Sequence, residues 1–220
     1  MKKMILLGAS FLIGMSALAQ TKIQLPKPNL GVKMSLYDAL RNRKSVRSYA
    51  EKDIDNATLS NLLWAAAGIS RPAEGKITAA SAINAQDIQI YVCKSDGAFL
   101  WTPADNRLVR ITEEDLRSDV ADRQTAVAKA PVMLVLVSNQ AKFGKRGSGA
   151  IFGHMDVGYV SQNIYLASAA LGLGTVARRG MNTEALRAKL RLTEDQVLEL
   201  NHPVGWMTDA SRGKTASKAR

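Results

Sequence analysis

The chain has 220 residues, enough for one domain with a sizeable core. Its formal charge of +11 draws anions to the surface without saying which, and without a recognised reading motif or interleaved aromatic and basic residues it makes no case for nucleic acid. A single cysteine excludes an internal disulfide, and with two widely spaced histidines it gives no metal signature, so no metal is expected.

MKKMILLGASFLIGMSALAQ begins with Lys2 and Lys3, runs through an apolar stretch and ends in Ala17-Leu18-Ala19, the pattern of a secretory signal. The apolar part is short for a membrane span, and no cysteine follows it for a lipid anchor. Cleavage is expected after Ala19, removing residues 1–19 and lowering the charge from +11 to +9. The product would be exported, to the bacterial periplasm, with no stable membrane insertion after processing. Retention as an anchor is the weaker alternative.

Residues 20–34 are polar and proline-marked and read as an exposed arm. SLYDALRNRK predicts a helix capped by Ser35, with Leu36 and Leu40 on one side. NATLSNLLWAAAGIS predicts a second, with Leu59, Leu62, Leu63 and Ala66 at helical spacing and Gly68 helping to end it. GKITAASAINAQD is small and polar, with room for one short helix. IQIYVC predicts a strand holding the buried Cys93, and LWTPADNRLVRI a hairpin turning at residues 103–106. TEEDLRSDVADRQTAVAKA predicts a helix with acidic residues in its first turn. PVMLVLVSN has the unbroken apolar run of a central strand covered on both faces. After a glycine-rich connection, residues 152–171 form the longest predicted helix. GLGTVARRG turns into a strand, EALRAKLRL is a short helix and QVLELNHPVGW another strand. The domain is read as residues 35–207, followed by a basic tail at 208–220. Separated strands among helices, with no regular strand–helix alternation, give an α+β layered fold.

Acid, base and nucleophile signals are sparse. There is no GxSxG elbow, neither His154 nor His202 sits in a diagnostic motif, and Glu113, Glu114 and Asp115 look like helix-end and solvent charges. The glycines of GSG (Gly147 to Gly149) and GLG (Gly172 to Gly174) lack the dinucleotide fingerprint, which leaves room for a mononucleotide whose single phosphate is gripped by arginines. RNRKSVRSY carries Arg41, Arg43, Lys44 and Arg47 around Ser45. As a bare string it is a solvated charged face before it is an anion site. Arginine's planar fork nevertheless suits phosphate, and a serine hydroxyl can donate beside it.

Taken together, these segments resemble the FMN-dependent nitroreductase superfamily over residues 36–206. RNRKSVRSY is similar to the family's N-terminal flavin motif, which implies that Arg43, Ser45 and Arg47, with Lys44, contact the flavin's ribityl chain, phosphate or pyrimidine edge, and that Arg41 is surface support. SAINAQDIQIYV resembles a serine/asparagine segment, implying that Ala80, Ser81, Ala82 and Asn84 cover the flavin from a neighbouring subunit. Ala80 and Ala82 depart from more polar or more restricted residues usual there. DVGYVSQNIYLASAALGLGTV, residues 156–176, resembles the dimer helix and the turn beside the isoalloxazine ring, with backbone contacts from Gly174 and Thr175. Arg212 and Lys214 match cations near the phosphate. The resemblance implies a mostly antiparallel sheet flanked by helices, an intimate homodimer, FMN as cofactor and chemistry on the flavin rather than on a catalytic side chain. It also implies a ping-pong reaction in which a reduced donor, with NAD(P)H the family's usual one, reduces FMN, and FMN reduces a small electron-poor organic substrate. Export puts the usual donor in question. The alternative is a non-catalytic exported protein that binds flavin or another anion.

Overall fold

The computed structural model describes residues 21–144 and 149–212; the expected signal at 1–19 and Lys214 lie outside the described residues. In chain order the main elements begin with β1 (Lys22–Gln24), α1 (Leu36–Asn42), α2 (Asn56–Ala67), β2 (Ile69–Arg71) and β3 (Lys76–Ile77). They continue with β4 (Ile88–Lys94), β5 (Gly97–Thr102), β6 (Arg107–Thr112), α3 (Arg117–Ala121), β7 (Val132–Asn139) and α4 (Gly149–Leu171). β8 (Leu173–Thr175), α5 (Thr183–Lys189), β9 (Gln196–Trp206) and α6 (Asp209–Arg212) follow. Seven strands form one antiparallel sheet in the order β1-β6-β5-β4-β7-β9-β8, and β2 and β3 form a separate small ribbon.

The unbroken apolar run in β7 is explained by cover on both faces. Val132, Leu134 and Leu136 point into a core shared with Leu59, Leu62 and Leu63 of α2 and Val157, Val160 and Ile164 of α4. Met133, Val135 and Val137 point the other way, against Leu116, Val120, Leu186 and Leu190 around α3 and α5. β4 repeats the alternation, with Ile90 and Val92 on the first face and Tyr91 and Cys93 on the second. The result is a helix–sheet–helix α+β fold with the sheet as the buried middle layer. Burial pushes the Cys93 thiol up to about 12, so it behaves as a small apolar side chain.

Local signals account for the helix ends. Ser35 accepts the Asp38 amide at 3.1 Å and starts α1; Asp55 accepts the Thr58 amide at 2.8 Å and starts α2. Gly68 ends α2, where a Cβ would come within 2.6 Å of the Trp64 carbonyl oxygen. Leu36 and Leu40 do share a side of α1, but that side faces outward.

Two segments differ from the sequence reading. The expected helix over residues 112–130 breaks into α3 and a 3₁₀ turn at Thr125–Lys129, because Asp122 adopts φ 51°, which no α-helix admits. Glu113 to Asp115 therefore precede the helix, and Asp115 instead binds Arg117 at 2.7 Å. The arm at 20–34 is exposed only in part: Lys22–Gln24 add an edge strand beside β6, and Leu25 is buried in the core.

Truncating Leu134, which is fully buried at the centre of the sheet, should lower stability by roughly 2–5 kcal/mol through lost contact and a residual cavity. Urea unfolding of Leu134→Ala against wild type checks this; a loss within measurement error would contradict the buried-middle-layer assignment.

Candidate active site

The cationic segment leaves α1 at Arg43 and runs alongside β8. Ser45 forms a parallel bridge with Thr175, and the Val46 amide donates to the Thr175 carbonyl at 2.8 Å. Gly174 is required for that approach, since a Cβ there would come 2.6 Å from Val46 Cγ1. Lys44 Nζ donates to the Arg212 carbonyl at 3.1 Å, which draws α6 to the same edge. Six expected residues, Arg43, Lys44, Ser45, Gly174, Thr175 and Arg212, therefore meet at one place, with Arg47 two residues further along. Thr175 contributes backbone only. Its side chain is buried and its hydroxyl donates to the Pro203 carbonyl at 2.9 Å.

Among the described residues no carboxylate forms an ion pair with Arg43, Lys44 or Arg47, whereas Arg41 pairs with Asp38 at 3.2 Å. Arg178, although close in sequence, is a buried structural residue that binds the carbonyls of Val120 and Ala121 and the side chains of Gln124 and Asn201. Arg43, Lys44 and Arg47 thus lack a carboxylate partner among the described residues in the segment where an anion was expected.

Tyr165, on α4, lies beneath this segment and was not singled out from sequence. Its hydroxyl is 3.0 Å from Ser45 Oγ and accepts the Ala177 amide at 2.8 Å. The Arg43 guanidinium sits 5.1 Å from its ring centroid, and the His202 ring meets it edge-on at 5.4 Å. The only signal in the sequence is one aromatic in an otherwise small-residue stretch, NIYLASAAL. His202 is fully buried between Ser161 and Thr175, and burial lowers its pKa to about 3, so it is a neutral core group and no base at neutral pH. Ser168 Oγ, in the wall of the same notch, is buried with no described hydrogen-bond partner. Unpaired cations, a backbone edge held close by Gly174 and an orphaned hydroxyl fit an anionic, hydrogen-bonding ligand such as a flavin phosphate and its ribityl chain.

Ala80, Ser81, Ala82 and Asn84 do not join this cluster. They belong to a short turn held against the N-terminal half of α4 by Asp156. Asp156 accepts Ser81 Oγ at 2.7 Å and the Ala82 amide at 3.0 Å, while Ser81 Oγ accepts the Gln86 amide at 2.7 Å. Ser81 is therefore committed within the chain, and Ala80, Ile83 and Asn84 form the exposed rim of the turn. Ile83, Asn84 and Gln86 all have positive φ, at 49°, 59° and 49°. That conformation is costly for a β-branched residue such as Ile83, and such strain gathers at functional sites. At about 1.5 Å per residue, Asp156 and Tyr165 stand about 13 Å apart along α4, which sets the separation of the two clusters. Asp156 was not singled out from sequence either; the signal for it is a lone carboxylate in a largely apolar helix, a group that must find partners.

Beneath Asp156 lies Asp87, also buried, which accepts Ser138 Oγ and has one oxygen without a described partner. Burial, followed by the Asp156 carboxylate beside it, raises the Asp87 pKa from 3.8 to about 6 against the opposing Ser138 bond. A raised carboxyl pKa favours the folded state below the unfolded value and loses that contribution as pH rises through the folded value. Stability should therefore fall between about pH 4 and pH 6 through this group. Asp87→Asn, which cannot ionise, should flatten that part of the urea-midpoint profile; parallel profiles would contradict the assignment.

Comparisons with known proteins give the family. The Nitroreductase family model matches residues 40–206. A protein of Methanocaldococcus jannaschii named as a nitroreductase is 32% identical over 197 residues, covering 84% of this chain and 96% of its own length. A Ralstonia eutropha structure titled as a nitroreductase superposes with a TM-score of 0.80 at 32% identity, covering 85% of this chain and 90% of that one. A Clostridium acetobutylicum structure titled as an NADH oxidase shares the fold, with a TM-score of 0.59 at 22% identity over 80% of this chain and 90% of that one. With a matching family model and a relative aligned along most of its length, the chain belongs to the nitroreductase family and is a flavin-dependent oxidoreductase.

Proposed function

We propose that the flavin is FMN, bound across a homodimer, and that it carries electrons by a ping-pong reaction from a reduced donor to a small electron-poor organic substrate. The observation that carries the reading is the group Arg43, Lys44 and Arg47, which has no carboxylate partner among the described residues and lies beside Ser45 and Gly174. A dianionic phosphate supplies the charge this group lacks, and the arginine forks give it paired, charge-assisted bonds.

FMN, when bound, supplies the two-electron chemistry, so the protein needs no nucleophile of its own. Arg43 and Arg47 would hold the phosphate end, Ser45 would donate to an oxygen of the ligand, and the β8 backbone at Gly174 would line the same edge. Lys44 joins Arg212 to that edge. Within one chain, however, the notch between these residues has a cavity volume of about 30 Å³, room for little more than a water. Ligand clefts are about 300–1,000 Å³, so a second wall is required.

A second subunit supplies that wall. Leu36, Tyr37 and Leu40 of α1 and Ile151, Met155 and Tyr159 of α4 are exposed large apolar residues, Tyr37 by 78%. Ile83, in the strained turn, belongs to the same exposed set. Apolar exposure on this scale marks an interaction surface. A two-fold pairing along α4 brings the turn at residues 80–84 of one chain over the cations of the other. For an exported chain, as read from residues 1–19, the donor has to be present in that compartment. NAD(P)H is therefore tested beside other reductants.

The purified protein should carry stoichiometric FMN that bleaches on anaerobic reduction; a folded protein that stays colourless and fails to bind added FMN overturns the reading. Arg43→Ala or Arg47→Ala should weaken FMN binding roughly 10- to 100-fold, the range for one charge-assisted bond, and weaken riboflavin binding less. Met155→Arg should shift the dimer toward monomer on a sizing column and release flavin with it; a flavin-loaded monomer would contradict the second wall.

A further inference from the structure

We infer that Tyr165 is a positioning residue that fixes Ser45 as a hydrogen-bond donor, so that the Ser45 hydroxyl presents its hydrogen to a phosphate or ribityl oxygen of the flavin. The inference rests on the flavin reading above but adds a residue and a direction to it.

The direction follows from counting hydrogens. Tyr165 Oη accepts from the Ala177 amide at 2.8 Å. A phenol has one hydrogen to give, and the partner described for it is Ser45 Oγ, 3.0 Å away. Were Ser45 to donate to Tyr165 instead, the phenol oxygen would receive two hydrogens and its own would go without a described acceptor. With Tyr165 donating, the chain runs from the Ala177 N–H to Tyr165 O–H to Ser45 O–H. It ends on a free hydrogen at the exposed edge where Arg43, Lys44 and Arg47 gather. A chain of bonds polarised this way strengthens its last donor toward an anion.

The surroundings fix the ring as well as the hydroxyl. Arg43 lies over its face at 5.1 Å and His202 meets its edge at 5.4 Å. His202 is oriented by the same counting. Thr175 Oγ1 gives its hydrogen to the Pro203 carbonyl, so His202 Nδ1 must donate to Thr175 Oγ1 at 3.1 Å. Nε2 is then the acceptor for Ser161 Oγ at 2.8 Å. That leaves an imidazole with no charge to repel Arg43 across the tyrosine. Ser45 is held from its other side by the bridge to Thr175. The rival is a plain strut, in which Tyr165 only ties α4 to β8 and acts on the flavin, if at all, independently of Ser45.

A double-mutant cycle on FMN affinity, measured by fluorescence quenching of FMN titrated with apo-protein, separates the two. Tyr165→Phe keeps the ring that Arg43 and His202 pack against. It should weaken FMN binding roughly three- to tenfold, as expected for one neutral hydrogen bond. Ser45→Ala should weaken it at least as much, and the double variant should stay within a factor of about two of Ser45→Ala alone. Ser45→Cys supplies a readout that leaves Tyr165 in place. A thiol donates and accepts poorly, so this variant should also bind within a factor of about two of Ser45→Ala. Tyr165→Phe binding like wild type, losses that multiply in the double variant, or a Cys variant binding like wild type would each overturn the inference while leaving the flavin reading intact. A folded wild-type protein that does not bind FMN would overturn that reading and this inference with it.

Discussion

One rigid helix sets the geometry on which the site depends. α4 is 23 residues long and packs its Val157, Val160 and Ile164 against the central strands, so it cannot shift without opening the larger core. On its N-terminal half Asp156 holds the strained turn at residues 80–84, and further along Tyr165 touches Ser45. Both attachments are side chains of the same core-packed helix. Their separation is therefore a property of the fold rather than of a loop. The turn and the cations stand apart within one chain, and that separation is the ground for proposing a second chain as the source of the missing wall.

The charge arrangement follows from what the core leaves over. Arg178 is buried and satisfied by carbonyl and amide oxygens, and Arg41 is paired with Asp38 at the surface. Arg43, Lys44 and Arg47 have no carboxylate partner among the described residues, although they stand within a few positions of Arg41. Like charges held together repel, and an incoming phosphate reverses that sign. The two buried acids near the N-terminal half of α4 have a different purpose. Asp156 organises backbone, and Asp87 beside it stays protonated to higher pH than an ordinary carboxyl, which removes one charge from the interior.

Much of the fold was legible because the signals were local or strongly periodic. The β7 run, the spacing of Leu59, Leu62 and Leu63, the Ser35 cap and Gly68 each act within a few residues of themselves. The break at Asp122 and the edge pairing of Lys22–Gln24 were not legible, since one depends on a backbone conformation that no composition announces and the other on β6, far along the chain. The site divides in the same way. RNRKSVRSY and GLG stand out as strings. Ser81 meeting Asp156, or Ser45 meeting Tyr165, joins residues 75 and 120 positions apart, and only the folded chain brings them together.

The central claim is that the flavin site is completed between subunits, and a mixed dimer tests it most directly. One chain would carry Arg43→Ala, the other Asp156→Ala, with different affinity tags so that only the heterodimer is recovered. If the cations of one chain work with the turn of the other, the heterodimer holds one intact site and one doubly damaged site. It should then bind FMN with near wild-type affinity at half occupancy, while both parent homodimers bind weakly. If each chain builds its site alone, both sites of the heterodimer are damaged; weak binding no better than that of the parents would contradict the account.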